Sequence, residues 1–405
     1  MSAHLTVLPT LTPESVSLPP AHGLRRLPLI AGAAGAVGLV VAAGLGLRAP
    51  ERFYHAYLTA FLFGLSLGLG ALCHVLIQLA SRAGSSVIPR RLAEIAMASL
   101  PVFALLFIPV VVGAGHLYEW TRHHEVARDA LLQHKQPYLN LPFFALRAVI
   151  YFALWAGAAW YVWRQTTAQD RTRSHAITRR LQRLSPVALL VFAVTVTLAA
   201  IDWIMALYPH WFSTIFGLYY FAGSMVGNYA LMILLALLVQ RGGMLTELIT
   251  PHHYHDLGKW LFAFTCFWAY MAFSQYMLIW YGNIPEETVF YARRWEGGFK
   301  VATTLLVLGH FAVPFFLLLA RGAKRSHLVI GVAAVWMLAA HYLDIYWLVM
   351  PAMGAAGAGL RLVDAAALVG IGGVFLAVMA WLMRRHPLVP VGDPRLHESL
   401  AFVND

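Results

Sequence analysis

Charge is what this sequence has least of. Charged residues are 12% of its 405 positions, about half of the roughly 25% found in soluble domains. That shortage excludes an ordinary water-soluble fold. Cysteine is almost missing as well: Cys73 and Cys266 are the only two, both inside apolar runs and far apart. A CxxCH haem attachment, a Cys-ligated iron–sulfur cluster and a disulfide framework within the chain are thereby excluded. If electrons pass nearby, another subunit or a diffusible carrier holds them. No cleavage site follows the first apolar run, which reads as a first helix rather than a signal peptide. The Pro-, Ser- and Thr-rich stretch before it reads as a flexible tail.

What is present is hydrocarbon. Hydrophobic residues make up 60% of the chain, in runs of about 20 or more residues that each suffice to cross about 30 Å of lipid. The expectation is an all-α polytopic membrane protein of ten helices, near 28–47, 53–80, 93–118, 141–163, 185–208, 212–240, 258–281, 299–320, 327–350 and 362–383. The net charge of +11 does not indicate nucleic acid. Apart from Arg147, inside span 4, the Lys and Arg residues lie in short loops and the two tails, 19 on the side of both termini against 9 on the other, and this bias places the termini in the cytoplasm.

A faint repeat divides the chain. Asp202 and Asp344 each stand seven residues before a proline, Pro209 and Pro351, near the outer ends of spans 5 and 9. The implied layout is a tail (1–27), a first helix (28–52), a four-helix bundle (53–211), a second (212–361), a last helix (362–383) and a C-terminal tail (384–405). Repeats in membrane proteins place working sites at their interface. Gly32, Gly35, Gly370 and Gly373 in the flanking helices permit close approach, to partner subunits or simply as membrane helices commonly do.

An ionisable residue at membrane depth costs roughly 2.5–3.5 kcal/mol on insertion scales, so each needs a reason. Asp202, Asp344, Arg147, Gln275 and Tyr276 fall in the outer third, with His116 at the outer end of span 3. Asn228, His310 and His341 lie near the middle, and His74 and Glu94 towards the cytoplasm. His341 and Asp344 are three apart and share a helix face. The plain alternative is that Arg147 pairs with Asp202 or Asp344 while the histidines satisfy backbone carbonyls or water. Two acids at matching repeat positions, with Arg and His at like depth, favour a proton-handling network. The cluster His252, His253, His255 and Asp256 has zinc-ligand types but sits in the loop leading into span 7, and no metal site is expected. Nor is a haem, since no pair of facing histidines repeats on two spans.

The stretches AIDWIMALYPHWFSTIFGLYYFAGS (200–224), HDLGKWLFAFTCFWAYMAFSQYMLIWYGNIPEET (255–288) and HYLDIYWLVMP (341–351) resemble ActF-type membrane subunits of bacterial alternative complex III, within the NrfD/PsrC-like polysulphide-reductase membrane family. The resemblance implies a bacterial inner membrane and a menaquinol-oxidising complex. It implies as partners a homologous quinol-binding membrane subunit, an iron–sulfur protein, multihaem and monohaem cytochromes c and a terminal oxidase, with haem and iron–sulfur on those subunits. Carried onto this chain, the acidic and histidine positions are Asp202, Asp344, His341 and His116. The leading expectation is a cofactor-free subunit that conducts protons and scaffolds the redox partners. The alternative is direct menaquinol binding, with His116 or His341 accepting a proton and Asp344 or Asp202 relaying it. A stand-alone transporter with inverted repeats fits less well, because both Asp-bearing helices run in the same direction. Glu286 and Glu287 read as an outer docking surface.

Overall fold

A computed structural model describes residues 11–404. It is 79% helical, without strands among the described residues. Ten helices are long and apolar enough to cross a membrane: α1 (Gly23–Gly46), α2 (Pro50–Ala80), α3 (Val87–Val112), α4 (Leu141–Thr172), α5 (His175–Leu207), α6 (Phe216–Arg241), α7 (Pro251–Gly282), α8 (Phe299–Leu319), α9 (His327–Gly357) and α10 (Leu362–Arg385). The chain is an all-α, multi-pass integral membrane protein. Both described ends lie on one face, called here the terminal face.

Several helices outrun their apolar stretches. α4 ends at Thr172 and α7 begins at Pro251, because hydropathy marks where lipid begins and not where helical hydrogen bonding stops. His252, His253 and His255 therefore lie on the first turns of α7, not in a loop, and His253 caps that helix through Thr250. α3 is broken into Val87–Met97, Leu100–Leu106 and Ile108–Val112. Pro101 and Pro109 start the second and third pieces, since proline tolerates a first helical turn but not an interior one.

α2 and α6 form the centre, each 89% buried along its apolar window. α2 packs on α3, α5, α6, α9 and α10, and α6 on α5, α7 and α9. They cross at Gly70, where a side chain would strike the Ser224 carbonyl and Asn228. α1 and α10 lie side by side. A Cβ on Gly38 would come 2.6 Å from the Gly370 nitrogen, and one on Gly373 2.6 Å from the Gly35 Cα. The glycines of the first and last spans thus serve contact between those two helices.

The described parts of the two segments read as tails, 11–27 and 384–404, are folded onto the terminal face, while 1–10 and 405 lie outside the described residues. Val16, Leu18, Leu388 and Val389 are buried, and the Leu388 amide donates to the Val16 carbonyl at 2.9 Å. Asp393 accepts from Arg90 at 2.6 Å, and the Ser399 hydroxyl donates to the Ser85 carbonyl at 2.7 Å. Beneath them Arg90 pairs with Glu94 at 2.9 Å, while Arg91 pairs with Glu94 at 3.3 Å and Asp170 at 2.8 Å.

Gly38→Ala is expected to destabilise the fold by about 1–3 kcal/mol through overpacking. Gly44→Ala, on the same helix with nothing within 4 Å of its Cβ position, is expected to leave the thermal midpoint in detergent nearly unchanged.

Candidate functional site: a buried carboxylate beside an apolar cavity

The two repeat-related aspartates end in different chemistry. Asp202, on α5, is held by Arg147 through two hydrogen bonds of 2.7 and 3.0 Å. The Tyr138 and Tyr151 hydroxyls donate to it at 2.9 and 2.8 Å. The Arg147 guanidinium also lies over the Tyr138 ring, 3.9 Å from its centroid. Four donors, two of them from a cation, leave this carboxylate fully satisfied. Arg147 therefore chooses Asp202, not Asp344.

Asp344, on α9, is equally buried but has no ion pair among the described residues. The Tyr219 hydroxyl of α6 donates to Oδ1 in a short hydrogen bond, and the Trp268 indole of α7 donates to Oδ2 at 3.0 Å. One turn away, His341 Nε2 pairs with the Ser66 hydroxyl of α2 at 2.8 Å, and its Nδ1 has no partner among the described residues. His310 of α8 stacks on Trp268 with ring centroids 3.8 Å apart, and neither of its ring nitrogens has a partner among the described residues. One donor atom from each of His310, His341 and Asp344 lies within 4.8 Å of the others. Two imidazoles and a carboxylate could bring three ligands to a zinc-type ion, and the same atoms can pass protons.

Local backbone features position these groups. Leu306–Ala312, which carries His310, is a π-helical turn. Pro314 has no N–H to offer the His310 carbonyl, four residues back, so the regular ladder fails there and the helix widens. The Trp336 indole takes up the Gly309 carbonyl at 2.7 Å. On α6, a Cβ at Gly223 would sit 3.0 Å from His341 Cε1 and 3.4 Å from Asp344 Oδ2. The glycine lets α6 close onto the cluster.

A cavity of about 700 Å³ opens between α7 and α8. Its inner wall includes Tyr219 and Trp268, the two donors to Asp344, and its sides carry Phe273, Leu306 and Phe311. Tyr270, Phe273 and Val307 on its rim are exposed, so the mouth faces the surface where hydrocarbon would lie. Tyr276 stands on that rim, edge-on to Tyr291 with centroids 5.1 Å apart.

The remaining expected residues lie apart from this cluster. Gln275 accepts from the Ser213 hydroxyl at 2.9 Å and donates to that of Tyr291 at 3.1 Å. Among the described residues the Asn228 side chain hydrogen-bonds only the Met232 sulfur, at 3.6 Å. His74 pairs with the Tyr229 hydroxyl at 3.0 Å, and Glu94 is taken by Arg90 and Arg91. His116 is exposed, stacked on Tyr54 at 5.2 Å.

Sequence reasoning missed Tyr219, Trp268 and Ser66, because aromatic and hydroxyl side chains in apolar spans look like ordinary packing. It also missed Arg294, which was counted as a loop charge. Its guanidinium is fully buried against Phe290, 3.4 Å from the ring centroid. It donates to the carbonyls of Phe290, Trp347 and Leu348 at 2.7, 3.1 and 3.1 Å, tying down the end of α9 just beyond Asp344. Burial pulls its pKa below the usual arginine value.

No protein-family model matches this chain, and no curated protein matches it.

Arg147→Gln is expected to cost about 3–5 kcal/mol, since it strands the Asp202 charge. Asp344→Asn is expected to cost no more than about 1 kcal/mol, because the amide oxygen still accepts from Tyr219 or Trp268. Denaturation of the two purified variants compares them directly; equal losses would contradict the assignment.

Proposed function

We propose that this chain is an integral membrane subunit of a quinol-oxidising respiratory complex of the alternative complex III type, and that its own cavity takes the quinol. One observation carries the reading. An aromatic cavity opening towards lipid ends on the two side chains that hold a buried carboxylate with no cation beside it. Its volume, about 700 Å³, is in the usual range for a small-molecule site and suits a quinone ring with the start of an isoprenoid tail. The apolar walls favour a lipophilic ligand that arrives from the membrane.

Oxidation of a quinol releases two protons and two electrons. With the ring at the inner wall, a quinol hydroxyl meets the Tyr219 hydroxyl. Its proton passes to the Tyr219 oxygen while the Tyr219 proton passes to the Asp344 carboxylate, the acceptor that general-base chemistry requires within hydrogen-bond reach. Asp344 hands this first proton to His341 or His310, whose donor atoms lie within 4.8 Å of it and have ring nitrogens without a partner among the described residues, and it then takes the second proton by the same route. The electrons leave to an iron–sulfur or haem centre on a partner subunit. The partners are those that the resemblance implies: a homologous membrane subunit, an iron–sulfur protein, cytochromes c and a terminal oxidase. Both termini lie in the cytoplasm of a bacterial inner membrane, and Glu286 and Glu287, at the start of the short helix Pro285–Ala292, face a basic surface of a partner.

The second reading is proton conduction beside a sister subunit that oxidises the quinol. It uses the same Asp344, His341 and His310. Against it, no hydrogen bond among the described residues joins this cluster to Asn228, His74 or Glu94, so these side chains do not themselves form a direct file to the terminal face.

In the assembled complex, Asp344→Asn is expected to lower quinol turnover by roughly 10²-fold or more. Leu306→Trp, which fills the cavity without touching Asp344, is expected to raise the quinol KM. A Leu306→Trp enzyme with unchanged KM, together with lost proton release in Asp344→Asn, would favour conduction over quinol binding. Unchanged behaviour of both variants would remove both readings.

A further inference from the structure

A second cavity, of about 580 Å³, lies at the terminal face between the end of α4, the end of α10 and the N-terminal segment. Arg164 and Arg171 of α4 and Arg385 at the end of α10 line it. None of the three guanidinium groups has an ion pair or hydrogen bond among the described residues. Two carboxylates share the lining, Asp170 and Glu14. Asp170 is taken by Arg91 at 2.8 Å, so Glu14 alone stands against three arginines. His386 sits in the same wall, edge-to-face with Trp163 at 4.9 Å. Burial and the nearby Arg91, Arg171 and Arg385 hold its pKa below the ordinary histidine value. Burial is the larger cause, and the three arginines add to it in the same direction.

The membrane side of the cavity has a different character. The Arg164 guanidinium lies over Trp160, 5.2 Å from the ring centroid, and that of Arg385 over Trp381, at 4.2 Å. Both tryptophans are exposed, in the manner of residues at the headgroup level of a bilayer. Arginine offers planar, bidentate donors suited to phosphate oxygens. A soluble anion would use the basic groups and leave the apolar approach unexplained. A phosphate that carries acyl chains uses both.

We propose that this cavity binds the headgroup of an anionic phospholipid, with its phosphate among Arg164, Arg171 and Arg385 and its chains along the lipid-facing sides of α4 and α10. Pro13 and Ser17 of the N-terminal segment and Pro387 complete the cavity wall. The lipid thus clamps both terminal segments onto the bundle. Basic pockets between helices on a cytoplasmic face are a known physical solution for such headgroups.

The test titrates the purified full chain in detergent with dioctanoyl phosphatidylglycerol, dioctanoyl phosphatidylcholine or inorganic phosphate, and reads native mass spectra and thermal midpoints. Phosphatidylglycerol is expected to bind and raise the midpoint, and the other two are not. The Arg164→Gln/Arg385→Gln double variant is expected to bind it roughly tenfold or more weakly. Glu14→Gln, which removes the opposing charge, is expected to bind it more tightly, and it carries the test if the double variant fails to fold. Equal binding by the double variant, weaker binding by Glu14→Gln, or protection by phosphate equal to that by phosphatidylglycerol overturns the proposal.

Discussion

A carboxyl group buried at membrane depth must be given hydrogen bonds and a reason to stay. Asp344 depends on this constraint more than any other residue. Withdrawing a carboxylate from water costs several kcal/mol even after relaxation, and Asp202 recovers that cost with the Arg147 guanidinium and two tyrosines. Asp344 receives only two neutral donors. The first arrangement suits a lock between α4 and α5. The second leaves a group whose charge is not fixed by a neighbour, next to two imidazoles with free nitrogens.

The surrounding fold holds that cluster from four sides. α6 approaches because Gly223 has no side chain to obstruct His341 and Asp344. α2 brings Ser66 to His341. α8 delivers His310 from a widened turn above Pro314, and α7 closes the site with Trp268, which touches both Asp344 and His310. Arg294 fixes the far end of α9 through backbone carbonyls. Precision at Asp344 thus comes from packing between rigid helices, while the adjacent cavity opens sideways between α7 and α8. That combination of a fixed polar end and an apolar approach is what a lipophilic reactant with one reactive ring needs.

The parts legible in the sequence are those governed by hydropathy and periodicity. Ten apolar runs announced ten helices, and the three-residue spacing of His341 and Asp344 put both on one face. Depth alone could not decide whether Arg147 faces Asp202 or Asp344, because both lie at a similar level and the choice is made by helix neighbours. Tyr219 was in plain view within FGLYYFAGS, yet nothing in its type separates a hydrogen-bond donor from an aromatic packing residue. The π turn at His310 needed Pro314 to be read against the carbonyl four residues back that it cannot serve. Val16, Leu18, Leu388 and Val389 lie in segments too short and polar to look like core, and they become buried only because the bundle offers a surface for them.

The proposed quinol site requires that Asp344 change state when a quinone enters the cavity. Infrared difference spectroscopy of the assembled complex, with and without quinone, observes this directly. A carboxyl signal that shifts on quinone binding, persists in Glu286→Gln and vanishes in Asp344→Asn is the expected result. A spectrum in which quinone moves no carboxyl signal, or moves one that survives in Asp344→Asn, would contradict the account.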